Sequence, residues 1–179
     1  MLIRKQYAFE AAHIVRNCFT QRCSRSLHGH SYRAELIIST SCLDQADMVM
    51  DFGLLKQTVY DLFDSFDHAT ILKFDDDSDL IASIKRHSER HILLPGNPTA
   101  ENMAAFFAQS SKLLLESYMP QYKEGVLRVE KVIVHETVTG YAEATLNDAF
   151  SPQAYFSPAI RADWKDSRLL DLGIHNEHI

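Results

Sequence analysis

Two stretches of this chain, residues 2–13 and 28–40, alternate apolar and polar side chains, and each carries histidine at the end facing the other. A period of two assigns one set of side chains to one face of a β-strand and the remainder to the opposite face. In the first stretch Tyr7, Phe9, Ala11 and His13 share a face. In the second, His28, His30, Tyr32, Ala34, Leu36 and Ile38 do, with Arg33 and Glu35 opposite. Joined by the polar loop 14–27, the two strands are expected to pair antiparallel and to bring His13 to His28 and His30. Three neutral imidazoles with an open fourth position are the ligand set of a catalytic zinc site rather than of a closed structural one. The competing reading is scattered surface histidines, against which the His-x-His pair and the third histidine on a matching strand both speak.

The rest of the chain supplies two helices and two more strands. Asp51 is a good N-cap, and Phe52, Leu55, Val59, Leu62, Phe63 and Phe66 recur at three- and four-residue steps behind it. Asn97-Pro98-Thr99 opens a second long helix with Met103, Phe106, Phe107, Leu113 and Leu114 as its apolar set. Residues 127–136 and 141–146 read as strands around a Thr139-Gly140 turn. Residues 69–97 read as an irregular insertion, with a short helix at Leu80–His87 behind Asp75-Asp76-Asp77-Ser78-Asp79. That acidic run lacks the ligand spacing and turn glycine of a calcium loop. The order strand, strand, helix, helix, strand, strand predicts an α+β domain: a four-stranded antiparallel sheet with two long helices on one face (ββααββ) over residues 1–146. Residues 147–179, with Pro152, Tyr155, Phe156, Pro158 and Trp164, are expected to be an extension packing on the same or a neighbouring subunit.

Composition removes several function classes. A net charge of −6 gives no support to general nucleic-acid or membrane-surface binding, and no apolar run reaches the ~20 residues of a membrane span. The opening residues enter the strand pattern directly, without the apolar stretch and cleavage site of a signal peptide. Cys18, Cys23 and Cys42 are an odd, sparse set, which argues against a disulfide framework and for a reducing, cytoplasmic setting.

Further residues carry chemistry. Cys18 and Cys23 lie in a loop with Arg16, Arg22 and Arg25 and no acidic residue between Ile14 and Leu27, a setting that favours a thiolate. Cys42 reads as structural. Asp67-His68 offers a carboxylate beside an imidazole, although neighbouring side chains often diverge. Glu136, at the end of a strand, has two acceptor oxygens that suit an amino-pyrimidinone edge, or simply meets solvent. Thr99 and Glu101 suit helix capping and the positive end of a helix dipole.

Taken in order, Phe9-Glu10-Ala11-Ala12-His13, Leu27-His28-Gly29-His30-Ser31-Tyr32, Met50-Asp51-Phe52-Gly53-Leu54-Leu55-Lys56, Phe66-Asp67-His68, Asn97-Pro98-Thr99-Ala100-Glu101-Asn102 and Val134-His135-Glu136-Thr137 resemble the 6-pyruvoyltetrahydropterin synthase and 6-carboxytetrahydropterin synthase family, over about residues 3–146. The resemblance implies a tunnelling fold whose subunits assemble through their sheets into a barrel, commonly a hexamer built as a dimer of trimers, with active sites at subunit contacts. It implies zinc on His13, His28 and His30, and Cys23 as general base with Cys18 as the alternative. It further implies Asp67 and His68 as a proton relay, and Glu136 as the pterin anchor with Thr99 and Glu101 nearby. The implied substrate is 7,8-dihydroneopterin triphosphate, for which the arginines of the loop would supply positive charge.

The two branches of the family differ in product. One cleaves the side chain, releases acetaldehyde and feeds queuosine and related deazapurines; the other keeps the side chain and leads towards tetrahydrobiopterin. Their cysteine-to-histidine spacers typically hold three and five residues, whereas Cys23 and His28 enclose four. The Leu-His-Gly-His and Asn-Pro-Thr segments favour the carboxytetrahydropterin branch. The alternatives are a pyruvoyl synthase and a non-catalytic pterin-binding homologue. A zinc hydrolase would need the helical His-Glu-x-x-His signature, which is missing.

Overall fold

The computed structural model describes residues 1–118 and 127–148. β1 (Leu2–His13) and, after the short helix α1 (Gln21–Arg25), β2 (His28–Ser39) pair antiparallel along their full length. The register sets His13 opposite His28 and Ala11 opposite His30, as the alternation predicts.

α2 (Phe52–Asp64) starts where Asp51 accepts hydrogen bonds from the backbone N–H groups of Gly53 and Leu54. Residues 69–97 are more regular than expected. They form β3 (Ala69–Lys73), α3 (Ser78–His87), capped by Asp77, and β4 (His91–Leu94). α4 (Ala100–Tyr118) follows, and Thr99 Oγ1 accepts from the Asn102 N–H at its start. β5 (Arg128–His135) and β6 (Tyr141–Ala144) complete the described elements.

The sheet therefore has six strands, in the order β4-β3-β1-β2-β5-β6, which corrects the expected four. It is mixed rather than antiparallel, because β3 runs parallel to β1 and β4 parallel to β3. The physical reason is in the residues. Parallel strands buried on both faces read as continuous apolar runs, and Ala69-Thr70-Ile71-Leu72 and Ile92-Leu93-Leu94 are all buried. A parallel pair also needs a crossover connection, and α3 with its flanking turns supplies it. Of the extension expected over 147–179, residues 149–179 lie outside the described residues.

The two long helices share the sheet face that carries Tyr7, Phe9 and Tyr32. Phe63 of α2 stacks on Tyr7 with ring centroids 4.1 Å apart, and Phe107 of α4 meets Phe9 edge-on at 5.8 Å. Leu55, Val59, Leu62, Phe63, Met103, Phe106, Phe107 and Leu114 are buried in this core, whereas Leu113 is only partly covered. The same face, followed to the end of β1 and β2, becomes the histidine cluster.

Candidate metal centre

His13 is fully buried at the end of the β1 row, and its Nε2 lies 3.1 Å from Nε2 of His28. The ring centroid of His30 is 5.2 Å from that of His13 and 5.1 Å from that of His28. Glu136 joins them, its Oε1 3.3 Å from Nε2 of both His13 and His30. One ligand atom from each of the four residues falls within 4.8 Å of all the others. Register accounts for Glu136: His135 pairs with Arg33, so the next residue of the antiparallel ladder sits beside Tyr32 on the histidine face.

The second ring nitrogens explain why these imidazoles suit a cation. His13 Nδ1 lies 2.7 Å from the Pro98 carbonyl and His28 Nδ1 2.9 Å from the Ser26 carbonyl. A carbonyl can only accept, so each Nδ1 carries the proton and donates it. In the neutral rings both Nε2 atoms are then lone-pair acceptors facing each other, an arrangement that repels unless positive charge lies between them. His30 Nε2 is buried and makes no hydrogen bond among the described residues, its polar neighbour being the Glu136 carboxylate at 3.3 Å. Outer carbonyls that fix the tautomer of ligating histidines are the usual support of a metal site. The residues present thus fit a metal ion with nitrogen-rich coordination.

The electrostatics agree with the geometry. The Glu136 carboxyl is held below the usual carboxylate range, chiefly by its contact with His13 and further by the neighbouring imidazoles, against the opposing effect of burial. Burial favours the neutral form of His30. Tyr32, whose hydroxyl lies 3.2 Å from His13 Nδ1, is kept protonated by burial and by the charge of Glu136.

Other candidate residues are placed differently. Asp67 Oδ2 lies 2.9 Å from His68 Nδ1, and Asp67 Oδ1 accepts the Glu10 N–H at 2.8 Å. The pair is therefore formed, with His68 in the left-handed region at φ 58° and its side chain exposed. Burial pushes the Asp67 carboxyl up, but the Glu10 N–H, His68 and Arg90 together hold it below its ordinary value. His68 lines a shallow groove with Glu10, Ala12, Gly29 and Ser31. Those four alternate with the residues of the histidine row, but Ala11 and His30 of that row line the groove as well. Neither Asp67 nor His68 belongs to the metal-capable group among the described residues.

Cys23 sits half-buried in α1, and its carbonyl accepts the Val15 N–H at 3.0 Å. Cys18 Sγ donates to the Thr20 carbonyl at 3.3 Å. Neither cysteine belongs to the metal-capable group. The all-basic surroundings expected for this loop are corrected by Asp76, which reaches in from the β3–α3 connection and pairs with Arg16 at 2.9 Å. Arg25 lines a cavity of about 710 Å³ together with Lys73 and Asp75. Thr99 is engaged in capping α4, and Glu101 is exposed in its first turn.

A family model described as 6-pyruvoyl tetrahydropterin synthase matches residues 2–147. The chain belongs to this family. A Helicobacter pylori protein named 6-carboxy-5,6,7,8-tetrahydropterin synthase is 37% identical over 175 residues, covering 93% of this chain and 88% of its own. One of the same name from Aquifex aeolicus is 32% identical, over 79% of this chain and 95% of its own. Among solved structures, an uncharacterised Wolinella succinogenes protein superposes with a TM-score of 0.61 at 21% identity, covering 82% of this chain and 98% of that one. The 6-pyruvoyl tetrahydropterin synthase of Caenorhabditis elegans gives 0.54 at 21% identity, over 81% and 94%. Both structural likenesses establish the fold.

Within this family frame, two features escaped the reading of the sequence. Glu136 stands against the imidazoles themselves, which only the β2–β5 register could have indicated. Asp76 lies 60 residues from its partner Arg16 and carried no motif.

Proposed function

We propose that this chain is a zinc-dependent 6-carboxy-5,6,7,8-tetrahydropterin synthase, a lyase that acts on 7,8-dihydroneopterin triphosphate in queuosine and deazapurine synthesis. The observation that carries this reading is the convergence of three Nε2 atoms, two of them with tautomers fixed by carbonyls, at one point of a pterin-synthase fold. The names of the Helicobacter and Aquifex relatives support the carboxytetrahydropterin branch over the pyruvoyl one.

His13, His28 and His30 would hold the zinc, which would supply Lewis acidity toward a side-chain oxygen of the substrate. Cys23 takes up and returns the proton at the neighbouring carbon. Glu136 anchors the pterin ring by accepting hydrogen bonds from its amino-pyrimidinone edge, with Thr99 and Glu101 close by. Asp67 and His68 stand outside the metal-capable group of their own chain and serve as relay for the site of a neighbouring subunit in a cytoplasmic homo-oligomer, a hexamer built as a dimer of trimers. Arg16 is committed to Asp76, so phosphate contacts fall to other cationic side chains of the loop.

The test is incubation of zinc-loaded protein with 7,8-dihydroneopterin triphosphate, followed by mass spectrometry. A 6-carboxytetrahydropterin with released acetaldehyde is expected. A pyruvoyl product moves the chain to the other branch. Unaltered substrate, bound but never turned over, makes it a pterin-binding homologue. Cys23→Ala should abolish turnover while zinc content and ligand affinity persist.

A further inference from the structure

Asp76 belongs to the β3–α3 connection, not to any family motif, and its side chain is 3% exposed. Its carboxylate grips the Arg16 guanidinium from two sides: Nε lies 2.9 Å from Oδ1 and 3.1 Å from Oδ2, and Nη2 lies 2.9 Å from Oδ1. The remaining arm of Arg16, Nη1, donates to the Ser24 carbonyl at 3.1 Å. Ser24 follows Cys23 in α1, whose last carbonyls have no partner inside so short a helix. Beside it, the Cys23 carbonyl is taken by Val15, the residue before Arg16. Two consecutive carbonyls of the cysteine segment therefore hang on Val15 and Arg16.

The backbone of Arg16 needs no help from Asp76. Asn97 already holds it, accepting the Arg16 N–H through Oδ1 at 3.0 Å and donating Nδ2–H to the Arg16 carbonyl at 2.7 Å. What Asp76 determines is the direction of the guanidinium. Asp76 is anchored in turn, its N–H donating to the Lys73 carbonyl at the end of β3 and its Oδ1 accepting the Asp77 N–H. The chain of contacts runs from a sheet strand through Asp76 and Arg16 to the segment that carries Cys23.

We propose that Asp76 is a positioning residue for Cys23, acting through Arg16, and that this clamp registers a loop whose four-residue spacer matches neither branch of the family. This rests on the reading of Cys23 as general base. A buried carboxylate and a two-pronged arginine form a directional, charge-assisted contact. Misplacing a reacting group by about 1 Å can cost about a hundredfold in rate.

The experiment compares zinc-loaded full-length wild type, Asp76→Asn, Asp76→Glu, Arg16→Ala and the Arg16→Ala/Asp76→Asn double variant. Turnover of 7,8-dihydroneopterin triphosphate is one readout, and the alkylation rate of Cys23 by iodoacetamide, mapped by peptide mass, is the other. Asp76→Asn should lower kcat about ten- to a hundredfold with KM changed much less, change the Cys23 alkylation rate several-fold, and leave zinc content intact. Asp76→Glu should restore most of both, and the double variant should be no worse than Arg16→Ala, since the two side chains act as one unit. Unchanged kcat and alkylation in Asp76→Asn, or losses in the double variant that simply multiply, overturn the proposal. So does loss of zinc or of folded protein in both Asp76 variants, which would leave Asp76 a purely structural role. If Cys23→Ala turns over normally, the general-base reading falls instead, while the alkylation arm still reports whether Asp76 holds the loop.

Discussion

The β1–β2 ladder and the segment that leaves it at Ile14 hold their functional residues by different means. In the ladder, backbone pairing alone carries His13, His28 and His30 to one end of one face, and outer carbonyls finish their orientation. From Ile14 to Leu27 there is one short helix, and the chain is held by side chains from far along the sequence: Asn97, Asp76 and the Arg16 they share. A ladder tolerates many substitutions because its contacts are repeated. A clamp built from a few side chains stands or falls on each of them.

Removing a ligand should have the largest effect. His13→Ala is expected to abolish both zinc retention, read by elemental analysis of the desalted protein, and pterin turnover. Retained zinc in that variant would break the claim that the ladder holds the metal. Next comes the parallel half of the sheet. Ile71 is fully buried and pairs with His13, so Ile71→Ala should cost about 2–5 kcal/mol in urea unfolding. Its zinc stoichiometry should persist, because the ligand ladder remains paired on its other side.

A smaller cost is expected at the clamp. Asn97→Ala deprives the Arg16 N–H and carbonyl of their partner and should destabilise by about 1–3 kcal/mol. Its effect on turnover should exceed that on zinc affinity, which sharpens the contrast between loop and ladder. The smallest effect concerns acid. The Asp67 carboxyl is lower in the folded than in the unfolded chain, so the unfolded state binds more protons and stability rises with pH across that interval. Asp67 should therefore contribute fully above its ordinary value of 3.8 and lose that contribution as pH falls below it. Melting curves of wild type and Asp67→Asn should differ by no more than about 1 kcal/mol near neutrality and converge in acid, since the pair is partly solvated.

What could be read from the residues alone follows the same division. Alternation declared β1 and β2, and a three-four periodicity behind Asp51 declared α2, because half-buried elements write their period into the chain. β3 and β4 are buried on both faces and have no period to write, so Ala69–Lys73 and His91–Leu94 read as irregular. The imidazole trio was legible from spacing once the two strands were paired. The place of Glu136 against it needed the register of a third strand, and the hold of Asp76 on Arg16 needed the fold itself.

Pro98 leans its carbonyl on the outer nitrogen of His13 at the mouth of α4. The long helix and an imidazole of the candidate metal centre are thereby coupled mechanically. A shift of α4 by a fraction of an ångström, caused by repacking anywhere along its nineteen residues, would retune the basicity of one imidazole without altering any ligand. Variation far out in the hydrophobic layer is thus a route by which the donor strength of the proposed ligand set could be adjusted.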